Sequence, residues 1–325
     1  MASEAKLVSD LLAEFNTVVN TGFNKSYEQF EPELKKLGYK YPSGPVETVN
    51  FIFMGFLGGL ERFYGSRKHD TIPEGYKFPV TNVEWDKAVD IERRKMIRAA
   101  AAGSAVGLTT YKNNIMALGP MAKDHPYEMM LDMLEVGDAS TYGLTFDGQN
   151  MFDTTHDYAI VAGSQSNLLS GTGETVALVY ADLIAAKAAM NGFYYQQGGT
   201  ANSKKRKLNK TSNKLMVVCP DGLSSIFEAI LGAEKIGNNT NLMKGKFQIV
   251  SRPFTDVDDW YLINLDDDGL GMSPFLLQME EEPKLDNPQE SDLSVRENGM
   301  YSWGVRYSGV QAYGAWWKAV MTTNT

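Results

Sequence analysis

Residues 48–92 read TVNFIFMGFLGGLERFYGSRKHDTIPEGYKFPVTNVEWDKAVDIE. Two β-prone runs, roughly 48–56 and 76–91, flank a polar middle from Arg62 to Gly75, punctuated by Gly65, Pro73 and Gly75. The pattern is that of a long antiparallel excursion that returns close to where it left. It carries eight aromatics: Phe51, Phe53, Phe56, Phe63, Tyr64, Tyr76, Phe78 and Trp85. A two-stranded ribbon has no interior in which to bury them. Covering each large apolar side chain is worth about 1.5–3 kcal/mol, so a neighbouring chain is expected to supply the cover. Arg62, Arg67 and Lys68, in the polar middle, are placed to pair with acidic residues of that neighbour.

The flanks agree with a chain that is not self-contained. Upstream, Ser3 to Phe23 has apolar residues Leu7, Val8, Leu11, Leu12, Phe15, Val18, Val19 and Phe23 at helical spacing. Ser3 is the expected N-cap and Gly22 lies near the expected stop. The stripe Leu7, Leu11, Phe15 and Val18 gives this helix a face with which to dock. Residues 24–47 mix charges, tyrosines and prolines without a sustained period and read as an extended arm with little core of its own.

Downstream, 92–136 turns strongly helical. Ile115, Leu118, Met121, Met129 and Met133 share one face, and Pro120 and Pro126 inside the pattern predict an interruption or kink. A turn-rich stretch, 137–175, follows. Next come an amphipathic helix (Val176–Asn191), a basic loop, a buried strand (Leu215–Val218), a helix (Leu223–Ala233) and strands near 246–252 and 260–265. Residues 280–292 read as an acidic linker. From Met300 to Met321 the sequence alternates, with Tyr301, Trp303, Val305 and Tyr307 on one face. The fold class is α+β, without internal repeats.

Composition narrows the function. At 325 residues the chain suits about two domains, or one compact unit with extensions. The net charge of −9 argues against nucleic-acid reading as the main task. A single cysteine, Cys219, excludes an intramolecular disulfide framework and fits a reducing compartment. The opening MASEAKLVSD lacks the apolar run of a secretory leader, and Val49–Leu60 is too short to span a bilayer. The expectation is a soluble, intracellular-type protein.

Catalytic signatures are nearly absent. Gly171–Thr175 (GTGET) lacks the lysine of a phosphate loop, and no GxGxxG, HExxH or GxSxG occurs. His156 between Asp153 and Asp157 resembles a ligand trio but reads better as a locally bonded turn histidine. A calcium loop starting at Asp256 would need glycine at its sixth position, where Tyr261 stands. The acidic groups around Asp256 and Asp266 therefore read as solvated turns. Lys204–Lys207 reads as a solvated loop, and Cys219, at a strand end without a nearby histidine, as an inert thiol. The expectation is no catalytic residue, no cofactor and no metal.

The order of these parts resembles the major head proteins of tailed phages, specifically the Mu-like head-subunit family. Three stretches carry the resemblance. Thr145–His156 (TFDGQNMFDTTH) is similar to that family's DGQ-x-F-F-D-T-x-H signature, with Met151 at a position often aromatic. Asn238-Asn239-Thr240-Asn241, then Lys244-Gly245-Lys246, Val250, Pro253 and Trp260-Tyr261-Leu262, resembles a pattern of phage capsid subunits. The third stretch is Trp303–Tyr307 with Tyr313-Gly314, and His125-Pro126 also fits.

The resemblance implies a Hong Kong 97-type fold. On it, 1–47 is the N-terminal arm and 48–92 the extended E-loop. Residues 93–175 and 276–325 form the peripheral domain, with a spine helix at about 107–136, and 176–275 form the axial domain. The implied function is a major capsid protein that assembles, as pentamers and hexamers, into an icosahedral head enclosing DNA. Implied partners are a separate scaffolding protein, a portal, decoration proteins and packaged DNA through weak non-specific contact, with no membrane. Assembly in the host cytoplasm, residence in the virion head and an untrimmed chain complete the expectation. Expected inter-subunit residues are Phe53, Phe56, Arg62, Phe63, Tyr64, Arg67, Lys68 and Trp85. Asp147, Asn150, Asp153 and His156 are expected to hold a turn through side-chain-to-backbone hydrogen bonds. Two other readings compete: a nanocompartment shell around an enzyme cargo, and a soluble hydrolase built on Asp147, Asp153 and His156.

Overall fold

The computed structural model describes residues 2–53, 76–102, 106–156, 164–196, 205–266 and 273–324. The first helix, α1 (Ala2–Gln29), is followed by strand β1 (Gly38–Pro42), a ribbon of β2 (Thr48–Phe53) and β3 (Tyr76–Thr81), and strand β4 (Val83–Glu92). Helices α2 (Arg93–Ala101) and α3 (Thr109–Glu135) come next, then β5 (Leu168–Ser170) and α4 (Val176–Gly192). A short hairpin, β6 (Tyr194–Gln196) and β7 (Lys205–Lys207), leads to β8 (Leu215–Pro220), α5 (Asp221–Gly232) and a second small hairpin, β9 (Lys235–Ile236) and β10 (Asn239–Thr240). The chain continues through β11 (Phe247–Arg252), β12 (Trp260–Asn264), β13 (Phe275–Asp286), α6 (Leu293–Asn298), β14 (Met300–Tyr313) and β15 (Ala319–Thr323).

Two sheets organise these elements. The first has the order β1-β13-β14-β4, with β1 parallel to β13 and the other pairs antiparallel. The second has the order β11-β8-β12-β15-β5. Its interior strand β8, LMVVCP, is buried at every position, as its unbroken apolar run requires. Trp260, Leu262, Phe227 and Val179 close the core around it.

Three helices cover the first sheet. On α1 the buried residues are Val8, Leu12, Phe15, Val19 and Phe23, spaced by three and four. The first four pack with Met96 and Ala99 of α2, Ile115 of α3, and Tyr301 and Trp303 of β14. Phe15 meets the Trp303 ring edge-on at 5.2 Å, and Trp303 Nε1 donates to Asn16 Oδ1 at 2.8 Å. The helices α1 and α3 approach so closely that a Cβ on Gly119 would stand 3.0 Å from the Phe23 carbonyl oxygen.

Several expectations need correction. The first helix extends to Gln29 rather than ending near Gly22, because Ser26 and Tyr27 still face α3. The spine helix is continuous through Pro120 and Pro126. Proline at 120 deprives the Met116 carbonyl of its helical donor, and Ser26 Oγ of α1 donates to that oxygen at 2.9 Å instead. Most of the supposed acidic linker is strand: β13 reaches Asp286, with Glu280 accepting from Ser308, Glu281 paired with Lys284, and Glu282 with Lys40. The basic loop keeps Lys205–Lys207 in a hairpin, with Lys205 Nζ over the Tyr194 ring. Strand β15 belongs to the second sheet, between β12 and β5, and not to the first sheet with β13 and β14.

Candidate functional site

The turn that follows the spine helix is built from the residues read as a signature. Thr145 N donates to Gln149 O at 2.8 Å and Gly148 N to Thr145 O at 3.0 Å, with Gly148 in the left-handed region at φ 79°. Asp147 Oδ1 accepts from Thr145 Oγ1 and, at 3.4 Å, from Gln149 N. Asn150 Nδ2 donates to Asp138 O at 2.7 Å. Asp153 Oδ1 accepts both the Thr155 amide, at 2.8 Å, and its hydroxyl, at 2.7 Å. Burial pulls the Asp153 carboxyl upward, but these Thr155 hydrogen bonds outweigh it and hold the group below the ordinary carboxylate range.

His156 does more than close a turn. Its side chain has no exposure; Nδ1 lies 2.9 Å from Asp147 Oδ2 and Nε2 lies 3.2 Å from Met151 O. The ring lies flat on Trp316, with centroids 4.2 Å apart and planes 5° apart. Asn167, also fully buried, ties the same knot: Nδ2 faces the carbonyls of Met151 (2.8 Å), Trp316 and Ala319 (3.2 Å each), and Oδ1 accepts from Asp153 N. The spine-helix exit, the signature turn and β15 are therefore fastened at one point. Asn167 is absent from the sequence reading because nothing around it in QSNLLS marks an anchor; only the fold brings Trp316 to it.

The residues expected at inter-subunit contacts divide three ways. Phe56, Arg62, Phe63, Tyr64, Arg67 and Lys68 lie outside the described residues, and Phe53 ends β2 opposite Tyr76. Trp85 lies outside the ribbon. It sits on β4, which pairs with β14 from Val83↔Gly309 to Glu92↔Met300, so 83–92 belongs to the sheet rather than to the ribbon. Trp85 Nε1 donates to Gly309 O at 3.0 Å, and the indole lies against His125 and Tyr307 of the same chain. The alternation Trp85, Val89, Ile91 turns one face of β4 toward the helices. These rings border a cleft of about 280 Å3 with Met121 and Val305, in which burial lowers the His125 imidazole.

The ribbon itself is a separate two-stranded sheet. Phe51 stacks on Phe78 across it, and Tyr41 meets Phe51 edge-on. Its base is clamped by Gln278, whose Nε2 donates to Val80 O (3.2 Å) and Asn82 Oδ1 (2.9 Å), and by Asn82 Nδ2, which donates to Val46 O (2.9 Å). On the arm, Phe15 is buried and Leu11 half-buried in the helix cluster, whereas Val18 is 41% exposed. The buried face runs one position further on, through Val8, Leu12 and Val19.

The side chains of the Asp147–His156 pair are buried, at 1% and 0% exposure. Burial pushes the Cys219 thiol up to about 12, far from a nucleophile's range. Among the described residues no group of three His, Cys, Asp or Glu side chains is arranged to hold a metal, and no helix is long and apolar enough to cross a membrane.

Residues 12–214 match the family model of the Mu-like prophage major head subunit gpT. No curated protein sequence matches the chain. Among solved structures, the fold is similar to that of the procapsid of bacteriophage JBD30, with a TM-score of 0.52 and 16% identity over 97% of this chain and 76% of that one. The capsid of cyanophage P-SCSP1u gives a TM-score of 0.55 at 9% identity, over 91% and 89% of the two chains. The virus-like particle from Pyrococcus furiosus gives 0.51 at 8% identity, over 94% and 97%. These likenesses establish the Hong Kong 97-type fold.

Proposed function

Because the chain belongs to the Mu-like prophage major head subunit family, and is thus a major capsid protein of a tailed bacteriophage resident in the virion head, we propose that its surfaces perform its entire function and that it catalyses nothing. Self-assembly into the shell follows from the family. In this reading the ribbon is the E-loop, reaching a neighbouring subunit with Phe53, Phe56, Phe63 and Tyr64, and with Arg62, Arg67 and Lys68 paired to acidic residues there. Its body-side boundary falls near Asn82, where the Gln278 clamp ends the excursion. The peripheral domain comprises the first sheet with α3. The axial domain comprises the second sheet with α4 and α5, and β15 belongs to it. Leu11 and Phe15 fasten the arm to its own subunit, and Asp147, Asn150, Asp153 and His156 hold the joint between the domains rigid.

A separate scaffolding protein, a portal and decoration proteins complete the set of partners, with packaged DNA touching the shell only through non-specific contacts.

The observation that carries this reading is the ribbon: among the described residues β2 and β3 pair as strands with each other and with no third strand, and aromatics run along them. Hydrogen exchange measured on free subunits and on assembled particles tests it. Amides of 48–53 and 76–81 are expected to gain protection on assembly; equal protection in both would refute the ribbon's role. A nanocompartment shell shares the fold, but the family match over 12–214 assigns the chain to the phage branch. Burial of the Asp147–His156 pair supports the shell reading over a hydrolase built on those residues.

A further inference from the structure

The second sheet has oppositely charged ends. Strands β8 and β11 start side by side at Leu215 and Phe247. An open cleft of about 480 Å3 lies at that end, lined by Lys36, Lys214, Lys246, Asn213 and Gln248. Among the described residues, none of these three ammonium groups has a carboxylate within ion-pair distance. Asp266, the described acid of this end, is buried and accepts from Asn213 N at 2.6 Å. A fourth cation, Lys187, is close enough that repulsion from Lys246 adds to burial in lowering its ammonium.

At the other end β11 finishes at Arg252, and the loop to β12 carries Asp256, Asp258 and Asp259. Glu174, after β5, meets Asp258 carboxyl to carboxyl, which raises Glu174. Burial, and then repulsion from Asp256, pushes Asp259 up to about 6. Arg252 does not relieve this crowding, because Glu33 and Glu128 hold it at 3.6 and 3.4 Å. Val257, 61% exposed, stands in the same loop. Six residues of β11 separate the two ends, about 17 Å at 3.3 Å per step. That exceeds a Debye length of about 10 Å at 0.1 M salt, so the ends of one copy do not neutralise each other.

We propose that neighbouring copies join end to end across this sheet, with the Lys36–Lys214–Lys246 cleft of one copy receiving the Asp256–Asp259 loop of the next. The inference rests on the shell-forming role of the chain and names the partner and the surface. The two patches differ, so the contact is head-to-tail, and repetition closes a ring when the rotation permits. Each joint pairs lysines with carboxylates that, among the described residues, have no ion-pair partner inside their own subunit. The short, compact ammonium suits such a rim contact.

Charge reversal in the full-length chain tests the pairing. Lys214→Glu with Lys246→Glu, and separately Asp256→Lys with Asp258→Lys, should each lower particle yield at least tenfold without lowering the thermal melt of free subunits. Combining all four substitutions should restore particles. Mixing the two double variants should give even-membered rings, since alternation satisfies every joint there and fails in an odd-membered ring. Zero-length carbodiimide cross-linking of wild-type particles should connect Lys214 or Lys246 to Asp256 or Asp258 of another copy. Normal assembly by either double variant, or no recovery in the quadruple variant, overturns the proposal. So does normal assembly with reduced DNA retention, which would assign the cleft to phosphate. Assembly failure in a chain lacking the ribbon, with these cross-links still present in its rings, would count against the E-loop reading alone.

Discussion

Replacing Ser26 with alanine removes the hydroxyl that donates to the Met116 carbonyl at 2.9 Å. That carbonyl has no helical donor of its own, because the residue four positions on is Pro120. Leaving a buried acceptor unpartnered costs about 1–3 kcal/mol. Ser26 is half-buried and its hydroxyl also lies 2.9 Å from Phe23 O, so the expected loss falls in the lower part of that range, about 1–1.5 kcal/mol. Pro120→Ala returns an N–H to the helix and aims it at Met116 O. In that background Ser26→Ala should cost less than about 0.5 kcal/mol, a coupling of about 1 kcal/mol between residues on different helices. The change in unfolded-chain entropy on removing proline appears on both arms of the cycle and cancels. Urea denaturation of the four unassembled variants, followed by tryptophan fluorescence, measures the coupling. Equal costs of Ser26→Ala with and without Pro120 would refute the assignment of Ser26 as the surrogate donor.

Three further outcomes are expected. Asp147→Ala leaves the buried His156 without its carboxylate and should destabilise free subunits by about 3 kcal/mol, read by the same denaturation. Trp85→Ala should weaken the free subunit by about 2 kcal/mol, since the indole packs within its own chain; a loss confined to assembled particles would restore Trp85 to the interface. Asp259→Asn should raise the melting temperature at pH 7–8. With its folded value raised to about 6 from an ordinary 3.8, Asp259 favours the fold only while protonated, and that contribution disappears as pH rises through about 6. The gain from asparagine should therefore shrink as pH falls from 6 toward 4, and a gain independent of pH would contradict this.

Where one element's own pattern suffices, the sequence reveals the fold. The unbroken LMVVCP run announces a buried strand, and Tyr301, Trp303, Val305 and Tyr307 all face the core as their alternation requires. The failures arise where a partner distant in sequence decides. Pro120 breaks a helix in isolation, and only Ser26, 94 positions upstream, makes continuity tolerable. Glu280, Glu281 and Glu282 look like linker until Ser308, Lys284 and Lys40 supply their partners. At the site, a turn held by Asp147, Asn150 and Asp153 was legible from short polar side chains that bond nearby backbone. The burial of His156 was not, because Trp316 reaches it from 160 residues downstream, and Asn167, 11 residues downstream, holds the Met151 carbonyl that the ring also faces.

Strand β5 has one neighbour in its sheet, β15. During synthesis, Leu168–Ser170 therefore waits for residues 321–323 to be made, about 150 residues later, or roughly 8–30 s at translation rates of about 5–20 residues per second. Until then β12 also has an open edge, and Trp316 has not yet arrived to cover His156. A nascent or prematurely terminated chain thus lacks the joint between turn and sheet, however well its earlier helices have formed. Shell growth from polysomes is disfavoured by topology, and chains that stop short of β15 exclude themselves from the lattice without a dedicated inspection step.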